Sequence, residues 1–303
     1  MWRGVTDWAK QRPLVLRAAG RLGRSRGRLR LLDKLSPPPR LGPAPDLSDW
    51  AKHELAAVWI GHATVLLRVG GLNILTDPVW SHRVGIGLGL ITGGPRRLVA
   101  PAMSIHQLPP LDLLLVSHAH FDHLDRPTLA RLPKNVPVIT SEHNSDLIVD
   151  LGFRQVRELG WGESTDVAGL RVTAWKVRHW GARTVLDEHR GYCAFLLEAG
   201  GRRVLYGGDT AYGDHFRGMG KVNLAVLGIG AYDPWIHGHA NPEQVWAMAN
   251  HARAEFILPV HHSTFRLSRE PISEPMERLL EAAGRESARV IDLGMGQVWT
   301  PRP

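Results

Sequence analysis

Three histidines and an aspartate lie within six positions in the run from Ser117 to His123, which reads Ser-His-Ala-His-Phe-Asp-His. The run directly follows an apolar segment, residues 111–116, that is interrupted only by Asp112. Imidazole and carboxylate groups are the ligands that zinc and similar divalent ions accept, and two neighbouring ions would need six or seven of them. The spacing therefore predicts a metal site at the end of a buried strand, completed by ligands from elsewhere in the chain.

Four more polar clusters follow apolar segments later in the chain, and each contains a histidine or an aspartate. Repetition of one pattern, an apolar strand followed by His or Asp, predicts a single shared site at a sheet edge. We expect one ion to be bound by His118, His120 and His179. A second ion would be bound by Asp122, His123 and His261. Asp209 is expected to bridge the two ions, as carboxylates do in two-metal sites.

Other polar residues near these clusters are candidates for supporting and catalytic roles. His62 and Asp77 are interpreted as supports that orient ligating imidazoles, with turn roles as the alternative. Tyr232 and His262 are placed with them as supporting or substrate-contacting residues. Two ions at such a site could hold a hydroxide, and Asp122 is expected to orient it besides binding metal. His239 is a candidate for hydrogen-bonding a phosphate oxygen or the leaving group, and the alternative is that it caps a nearby helix.

Short apolar segments that end in turns predict a strand-rich body. We expect strands at residues 57–60, 64–69, 73–76, 112–116, 136–140, 170–177, 193–198, 203–206, 224–227, 256–259 and 298–300. Helices are expected at about residues 126–132, 143–151, 242–253 and 274–283. Asn241 before Pro242 is a good N-cap with proline in the first turn. The pattern predicts two sheets packed face to face and covered by helices.

The net charge of +8 is concentrated at the N-terminus. Residues 1–40 hold eleven of the 37 Lys and Arg residues and two of the 29 acidic residues, so they carry +9 and the rest carries −1. Arg17, Arg21, Arg24 and Arg28 would form one helical stripe, and prolines near residues 37–45 end the segment. We predict a basic arm over residues 1–45 and a catalytic domain over residues 46–303. The arm either binds an anionic membrane surface through residues 1–40 or is simply solvated.

Cysteine content and hydropathy indicate the compartment. Cys193 is the single cysteine and lies in an apolar segment, so no intrachain disulfide can form and a plain core residue is expected. No segment approaches the roughly 20 apolar residues of a spanning helix. These features predict a cytoplasmic protein. Peripheral attachment at the inner face of the membrane is a further expectation. The sequence leaves a homo-oligomer open.

The His-x-His-x-Asp-His run, followed by a separate His, Asp and His, resembles the hallmark of the metallo-β-lactamase fold superfamily over roughly residues 55–300. The resemblance implies an α/β fold, an αββα four-layer sandwich with a dimetal site on one edge. The lactamases often place a cysteine at the second metal, whereas Cys193 lies in an apolar segment. The flavodiiron branch has Glu where this chain has His120. Both branches are therefore disfavoured.

A closer resemblance is to the branch containing N-acyl-phosphatidylethanolamine-hydrolysing phospholipase D and its bacterial relatives. It is carried by stretches spread in order along the chain, among them Trp59–Thr64, Leu75–Pro78, Ser117–Asp125 and Gly208–Thr210. Relatives commonly show His-Trp-Gly-Thr-Phe at the last motif. This chain has His261-His262-Ser263-Thr264-Phe265, so His262 replaces a tryptophan.

This resemblance implies a hydrolase with two divalent ions, zinc being the expected metal. It would cleave a phosphodiester, such as N-acyl-phosphatidylethanolamine or a related phospholipid, by metal-hydroxide attack on phosphorus. The runner-up is a lactonase or carboxyl-ester hydrolase that acts on a small phosphorylated substrate. The apolar, glycine-rich loop at residues 84–94 and the basic arm favour the lipid. A nucleic-acid-binding protein or nuclease that uses the arm is a third alternative, which the neutral body disfavours.

Overall fold

The computed structural model describes residues 38–40, 42–88, 91–184 and 186–301. Most of the predicted basic arm, including its arginine stripe, lies outside these ranges, and the boundary at residue 45 remains a prediction. Among the described residues, no helix is both long enough and apolar enough to cross a membrane.

Apolar segments form fifteen strands in the described part of the chain. In chain order they are β1 Leu55–Gly61, β2 Thr64–Val69, β3 Leu72–Thr76, β4 Ile86–Leu88, β5 Ile91–Gly93, β6 Leu113–Val116, β7 Val138–Ser141, β8 Val156–Leu159, β9 Ser164–Val167, β10 Leu170–Trp175, β11 Ala194–Ala199, β12 Arg202–Tyr206, β13 Leu224–Gly228, β14 Phe256–Val260 and β15 Val298–Trp299. All seven residues of β1 are buried, as are all residues of β6 and β7, so these strands are covered on both faces.

Four α-helices accompany the strands in the described ranges: α1 Arg126–Leu129, α2 Asp146–Val149, α3 Pro242–His251 and α4 Glu274–Ala283. Short 3₁₀ segments occur at Trp50–Lys52, Ile105–Gln107 and Gly284–Arg289. Asn241 caps α3, because its side chain accepts a hydrogen bond from the Gln244 backbone N–H, while the Gln244 side chain accepts one from the Asn241 backbone N–H. The predicted N-cap is confirmed.

The strands form two large sheets and one hairpin. The first sheet has the order β15-β1-β2-β3-β6-β7-β8, and the second has the order β14-β13-β12-β11-β10-β9. The separate hairpin pairs β4 with β5. Neighbours from β3 to β8 are parallel in the first sheet, and β12, β13 and β14 are parallel in the second.

Three apolar clusters hold the layers together. The central cluster joins the facing sides of the two sheets, with Leu67 and Ile74 from the first and Val172 and Phe195 from the second. A second cluster packs α3 and α4 on the outer face of the second sheet. The third packs Leu129 of α1 and the helix α2 on the outer face of the first sheet. The predicted αββα sandwich is confirmed.

The parallel strands direct the loops that follow them to one edge of the sandwich. Asp77 follows β3, Ser117 follows β6, and Asp209 and His261 follow β12 and β14. The two sheets also touch at this edge, because the Cys193 amide donates to the Ser117 carbonyl at 3.2 Å. The polar clusters that are distant in the sequence therefore converge where the sheets meet.

Several elements differ from the sequence-based expectations. The strands β8 and β9 and the hairpin β4–β5 were not predicted, and the helices α1 and α2 are shorter than expected, with four residues each. The segment of β8 alternates poorly, since Arg157 is exposed and Leu159 alone is fully buried. Strands at a sheet margin, such as β8 and β9, are held by pairing with a neighbour, which local hydropathy does not record.

Candidate metal centre

The first predicted ligand group comes together in the structure. His118, His120, His179 and Asp209 each place one ligand atom within 4.8 Å of the others. His118 Nε2 lies 2.9 Å from His120 Nδ1, and His179 Nε2 lies 3.3 Å from that same nitrogen. Three imidazoles and one carboxylate therefore face a common point.

The second predicted ligand group also comes together, with one addition. Asp122, His123 and His261 lie with His62 in a group whose ligand atoms are within 4.8 Å of one another. Asp122 Oδ2 is 3.4 Å from His261 Nε2 and 3.7 Å from His123 Nε2. His62 Nε2 is hydrogen-bonded to Asp122 Oδ2 at 2.9 Å, a contact that suits its predicted supporting role.

Asp209 lies between the two groups. Its Oδ2 atom is 3.1 Å from His123 Nε2 and 3.3 Å from His261 Nε2. The same oxygen is 3.7 Å from Nε2 of both His118 and His179. Gly208, with φ of +55°, brings this loop so near to Ser117 that an added Cβ would lie 2.9 Å from the Ser117 Cβ. The close approach places one carboxylate within reach of imidazoles from both groups, as the predicted bridging role requires.

Hydrogen bonds to one ring nitrogen leave the other nitrogen directed at the cluster. His179 Nδ1 pairs with the Gly238 carbonyl at 2.8 Å, and a carbonyl can only accept. His123 Nδ1 pairs with Asp77 Oδ2 at 2.5 Å. A ring that donates from Nδ1 carries its free lone pair on Nε2, the tautomer that a metal ligand needs.

Asp77 is fully buried and supports the site from below. Its Oδ1 accepts from the Ser117 amide at 2.7 Å, while Oδ2 accepts from Ser117 Oγ at 2.6 Å and from the Tyr206 hydroxyl at 2.5 Å. Together with His123, these groups give the carboxylate four donors. The predicted supporting position of Asp77 agrees with these contacts.

The electrostatics of the first group favour neutral imidazoles beside an ionised carboxylate. Burial holds the pKa of His118 and His179 well below the ordinary value and lowers that of His120 to about 4. Burial opposes ionisation of Asp209, but His123 and His261 outweigh it and hold the Asp209 pKa well below its usual range. Neutral imidazole and ionised carboxylate are the forms that bind a cation.

The electrostatics of the second group favour positive charge on its imidazoles. Burial opposes protonation of His123 and His261, yet the carboxylates, with Asp209 foremost, raise the His123 pKa well above its usual range and that of His261 to about 9. Burial likewise opposes ionisation of Asp122, whose pKa is held well below the ordinary value by its histidine neighbours. The ionised carboxylates of Asp122 and Asp209 are therefore stabilised by positive charge, which a bound cation would also supply.

Backbone conformation at the site is strained. His62, Asp77 and His261 have positive φ of 54°, 32° and 63°. Side-chain-bearing residues in such conformations cost on the order of 1–3 kcal/mol each and persist where the surroundings fix them. His62 and His261 lie in the second ligand group, and Asp77 is hydrogen-bonded to His123 of that group. The strain is therefore located at the ligand groups.

The remaining candidates occupy different places around the cluster. His239 Nδ1 is 3.8 Å from Asp209 Oδ2, and burial lowers its pKa to about 4. Because Asn241 caps α3, the alternative that His239 caps this helix is wrong. The Tyr232 hydroxyl donates to Glu274 Oε1 at 2.7 Å. His262 stacks on Trp59, with ring centroids 4.6 Å apart.

Sequence reasoning missed three contributors to the site. Tyr206 appeared as the last apolar residue of a strand, and Ser117 as the start of a loop. Gly238 gave no chemical signal, although its carbonyl orients His179 and its lack of a Cβ admits the Trp180 ring, 2.0 Å from where that atom would stand. The signal for Tyr206 was its place just before Gly207-Gly208-Asp209.

Unpaired buried nitrogens test whether divalent ions fit. His123 Nε2 and both ring nitrogens of His261 are buried without a hydrogen-bond partner. Such groups are costly in a protein interior, and natural structures rarely leave them unused. Nε2 of His123 and of His261 lies 3.1 and 3.3 Å from Asp209 Oδ2 in a set of imidazole and carboxylate groups, so the residues present fit borderline divalent ions.

Comparisons with known proteins agree with this geometry. The model of a β-lactamase superfamily domain matches residues 72–262. A protein of Mycobacterium tuberculosis is 35% identical over 254 residues, which are 78% of this chain and 66% of that protein. N-acyl-phosphatidylethanolamine-hydrolyzing phospholipase D 1 of Caenorhabditis elegans is 32% identical over 272 residues, 81% of this chain and 75% of that protein.

A solved structure shares the fold. The crystal structure of a possible metal-dependent hydrolase from Veillonella parvula has a TM-score of 0.65 at 19% identity and covers 81% of this chain and 99% of that one. The chain belongs to the metallo-β-lactamase superfamily. It spans slightly less than two thirds of the mycobacterial relative's length.

Proposed function

We propose that the chain hydrolyses a phosphodiester bond in a phospholipid such as N-acyl-phosphatidylethanolamine, with zinc as the expected metal. One observation carries the proposal: the Asp209 carboxylate lies 3.1–3.7 Å from imidazoles of both ligand groups, as a two-metal hydrolase requires. The similarity to a phospholipase D over 81% of the chain supports a phosphodiester as the substrate.

The two groups would each hold one ion, with Asp209 shared between them. Ions bound there would lower the pKa of a shared water toward neutrality and draw charge from a phosphoryl oxygen. The carboxylates raise the pKa of both His123 and His261, so metal binding to these imidazoles would release protons.

The chain's own residues position the reactants. Asp122 is ionised and lies beside both His123 and His261, so it can accept a hydrogen bond from the attacking water while it binds metal. His239, neutral at pH 7, can donate a ring N–H to a phosphoryl oxygen or to the departing alkoxide. Water would cleave the bond to the alcohol, which leaves a phosphatidate-like monoester.

Exposed apolar side chains near the cluster favour a lipid substrate. Seven large apolar residues are exposed among the described residues, and they include Ile86 in the β4–β5 hairpin, Leu186 in the segment after His179, Ile236 three residues before His239 and Ile272 ten residues after His262. We call these four the apolar rim. Leu186 is 89% exposed and lies three residues after Arg183. Arg183 donates to the carbonyls of Ala119 and Leu124, in the loop that bears His118 and His120. Ile272 accepts a hydrogen bond from Ser263, next to His262.

A substrate panel in ¹⁸O-labelled water tests the proposal. The zinc-loaded protein would be assayed with N-acyl-phosphatidylethanolamine, a simple phosphodiester and a phosphorylated lactone. We expect the phospholipid to give the highest kcat/KM, with the label in the phosphomonoester, because attack is at phosphorus.

Label in a carboxylate, or a higher kcat/KM with the lactone, would contradict the phosphodiester proposal. The lactonase alternative keeps one supporting feature, since His262 stands where relatives of the phospholipase branch commonly have tryptophan. The label position separates the two reactions on the same protein sample.

A further inference from the structure

The buried hydroxyl of Tyr206 joins the second sheet to Asp77, the first-sheet residue that supports the predicted ligand His123. Tyr206 is the last residue of β12, whereas Asp77 directly follows β3. Both residues are fully buried, and they are 129 positions apart in the chain. We propose that Tyr206 is a positioning residue that fixes the His123 imidazole through the Asp77 carboxylate.

The hydrogen bonds define a relay of three side chains. The Tyr206 hydroxyl donates to Asp77 Oδ2 at 2.5 Å, and the same oxygen pairs with His123 Nδ1 at 2.5 Å. The alternative acceptor of the hydroxyl, the Ala63 carbonyl, is farther away at 3.2 Å. Since a carboxylate can only accept, Tyr206 and His123 both donate to this one atom.

The relay controls the direction of the His123 lone pair. With Nδ1–H fixed on Asp77, Nε2 lies 3.1 Å from Asp209 Oδ2 and has no hydrogen-bond partner of its own. Rotation of the Asp77 carboxylate would turn the imidazole and move Nε2 away from this position. Ser117 restrains the carboxylate from the first sheet, and Tyr206 is its restraint from the second sheet.

The backbone of Asp77 is strained, so its side chain must be held in place. Asp77 has a positive φ of 32°, an unfavourable conformation that its surroundings must hold in place. Four donors on its carboxylate supply that hold, and three of them end on Oδ2. Removal of the one donor from the second sheet should loosen His123 without removing any ligand.

Zinc titration against a chromophoric chelator tests the relay, with Tyr206→Phe as the variant. The ring remains to fill the core, and only the hydroxyl is lost. We expect wild type to bind two ions and the variant to bind the second ion about 10–100-fold more weakly, as is typical when an outer-shell partner is removed. Tyr212→Phe is the control, because this tyrosine is exposed and belongs to neither ligand group, and it should bind zinc like wild type.

A spectroscopic measurement on wild type does not depend on how the variant folds. The chain has four tyrosines, so [¹³Cζ]tyrosine labelling gives four signals. The Tyr206 signal should shift when zinc is added, because its acceptor also holds the His123 proton. The signal of the exposed Tyr212 should stay in place.

Two results would overturn the proposal. One is equal affinity of wild type and Tyr206→Phe for the second ion, and the other is a Tyr206 signal that does not respond to zinc. The proposal rests on the ligand role of His123 in the proposed function. Wild type that binds fewer than two ions would refute that assignment, and this proposal with it, before any variant is compared.

Discussion

Asp209 is the single side chain on which both ligand groups depend. Its Oδ2 lies within 3.8 Å of five imidazoles, and its side chain is 2% exposed. Burial alone would favour the neutral acid, so the ionised form exists only because cationic or hydrogen-bonding neighbours surround it. Loss of this charge should therefore affect both groups together.

Asp209→Asn keeps the side-chain volume and removes the charge. We expect dialysed protein to retain fewer than two zinc ions per chain and kcat/KM for a simple phosphodiester to fall by on the order of 10³-fold or more. Elemental analysis and a steady-state assay measure these. Asp214→Asn, in an exposed carboxylate paired with Arg217, is the control and should retain both ions. Full occupancy and activity in Asp209→Asn would refute the bridging role.

His215 gives a pH dependence that is separate from the ligand groups. Burial, followed by repulsion from His251, lowers the pKa of this partly buried histidine to about 4. Because the unfolded chain has the ordinary pKa near 6.5, it binds more protons than the folded chain between pH 6.5 and 4. The contribution of His215 to stability is therefore complete above pH 6.5 and is lost as pH falls toward 4.

His215→Gln removes this dependence. Relative to wild type, the variant's free energy of unfolding should rise as pH falls from 7 to 4.5, by at most about 1.4 kcal/mol per pH unit. Urea unfolding in the presence of a chelator measures the difference without a contribution from metal release. A difference that stays constant across this range would show that His215 is not buried in its neutral form.

At the scale of elements, the ends of parallel strands were predictable and the contacts between sheets were not. Apolar segments before His118, Asp209 and His261 marked strands whose carboxyl ends share an edge. The membership of the two ligand groups was predicted from this shared edge. Tyr206 could not be assigned a role, because its acceptor is 129 positions away and is fixed only by the packing of one sheet on the other.

The segment between β10 and β11 carries His179 and depends on side chains for its position. Arg183 donates to the Ala119 and Leu124 carbonyls at 2.9 and 2.8 Å and lies over the Phe121 ring. These contacts tie the segment to the loop that bears His118 and His120. Buried carbonyls left without donors are costly, so the tie affects both stability and geometry.

Arg183→Met should lower the free energy of unfolding by about 1–3 kcal/mol, because two carbonyls lose their donor. It should also weaken zinc binding, as His179 is no longer held against the ligand loop. Urea unfolding and zinc titration measure the two effects. Arg217→Met is the control, since its pair with Asp214 is exposed and should contribute less than about 1 kcal/mol. Equal stability of the two variants would refute the tie.

At the scale of the whole molecule, two features favour a lipid surface by different forces. The apolar rim gains from burial in the acyl region, which salt hardly affects. The basic arm, predicted over residues 1–45 with most of its residues outside the described ranges, would be attracted to anionic head groups, and this attraction is screened by salt. We propose that both act at the inner face of the membrane, with the substrate drawn from that surface.

Vesicles of phosphatidylcholine and phosphatidylglycerol separate the two forces. Leu186→Asp with Ile86→Asp should weaken binding at least about tenfold at high and low salt alike, since each apolar side chain contributes about 1.5–3 kcal/mol when buried. Deletion of residues 1–40 should weaken binding at low salt and have little effect at high salt.

Hydrolysis of a small soluble phosphodiester should be unchanged in both variants, because neither touches the ligand groups. Val149→Asp, at an exposed apolar residue of the outer helix α2, is the control and should bind vesicles like wild type. If the rim variant binds like this control, the exposed side chains do not contact lipid. A soluble substrate would then be favoured, because neither the rim nor a membrane is needed to present it to the cluster.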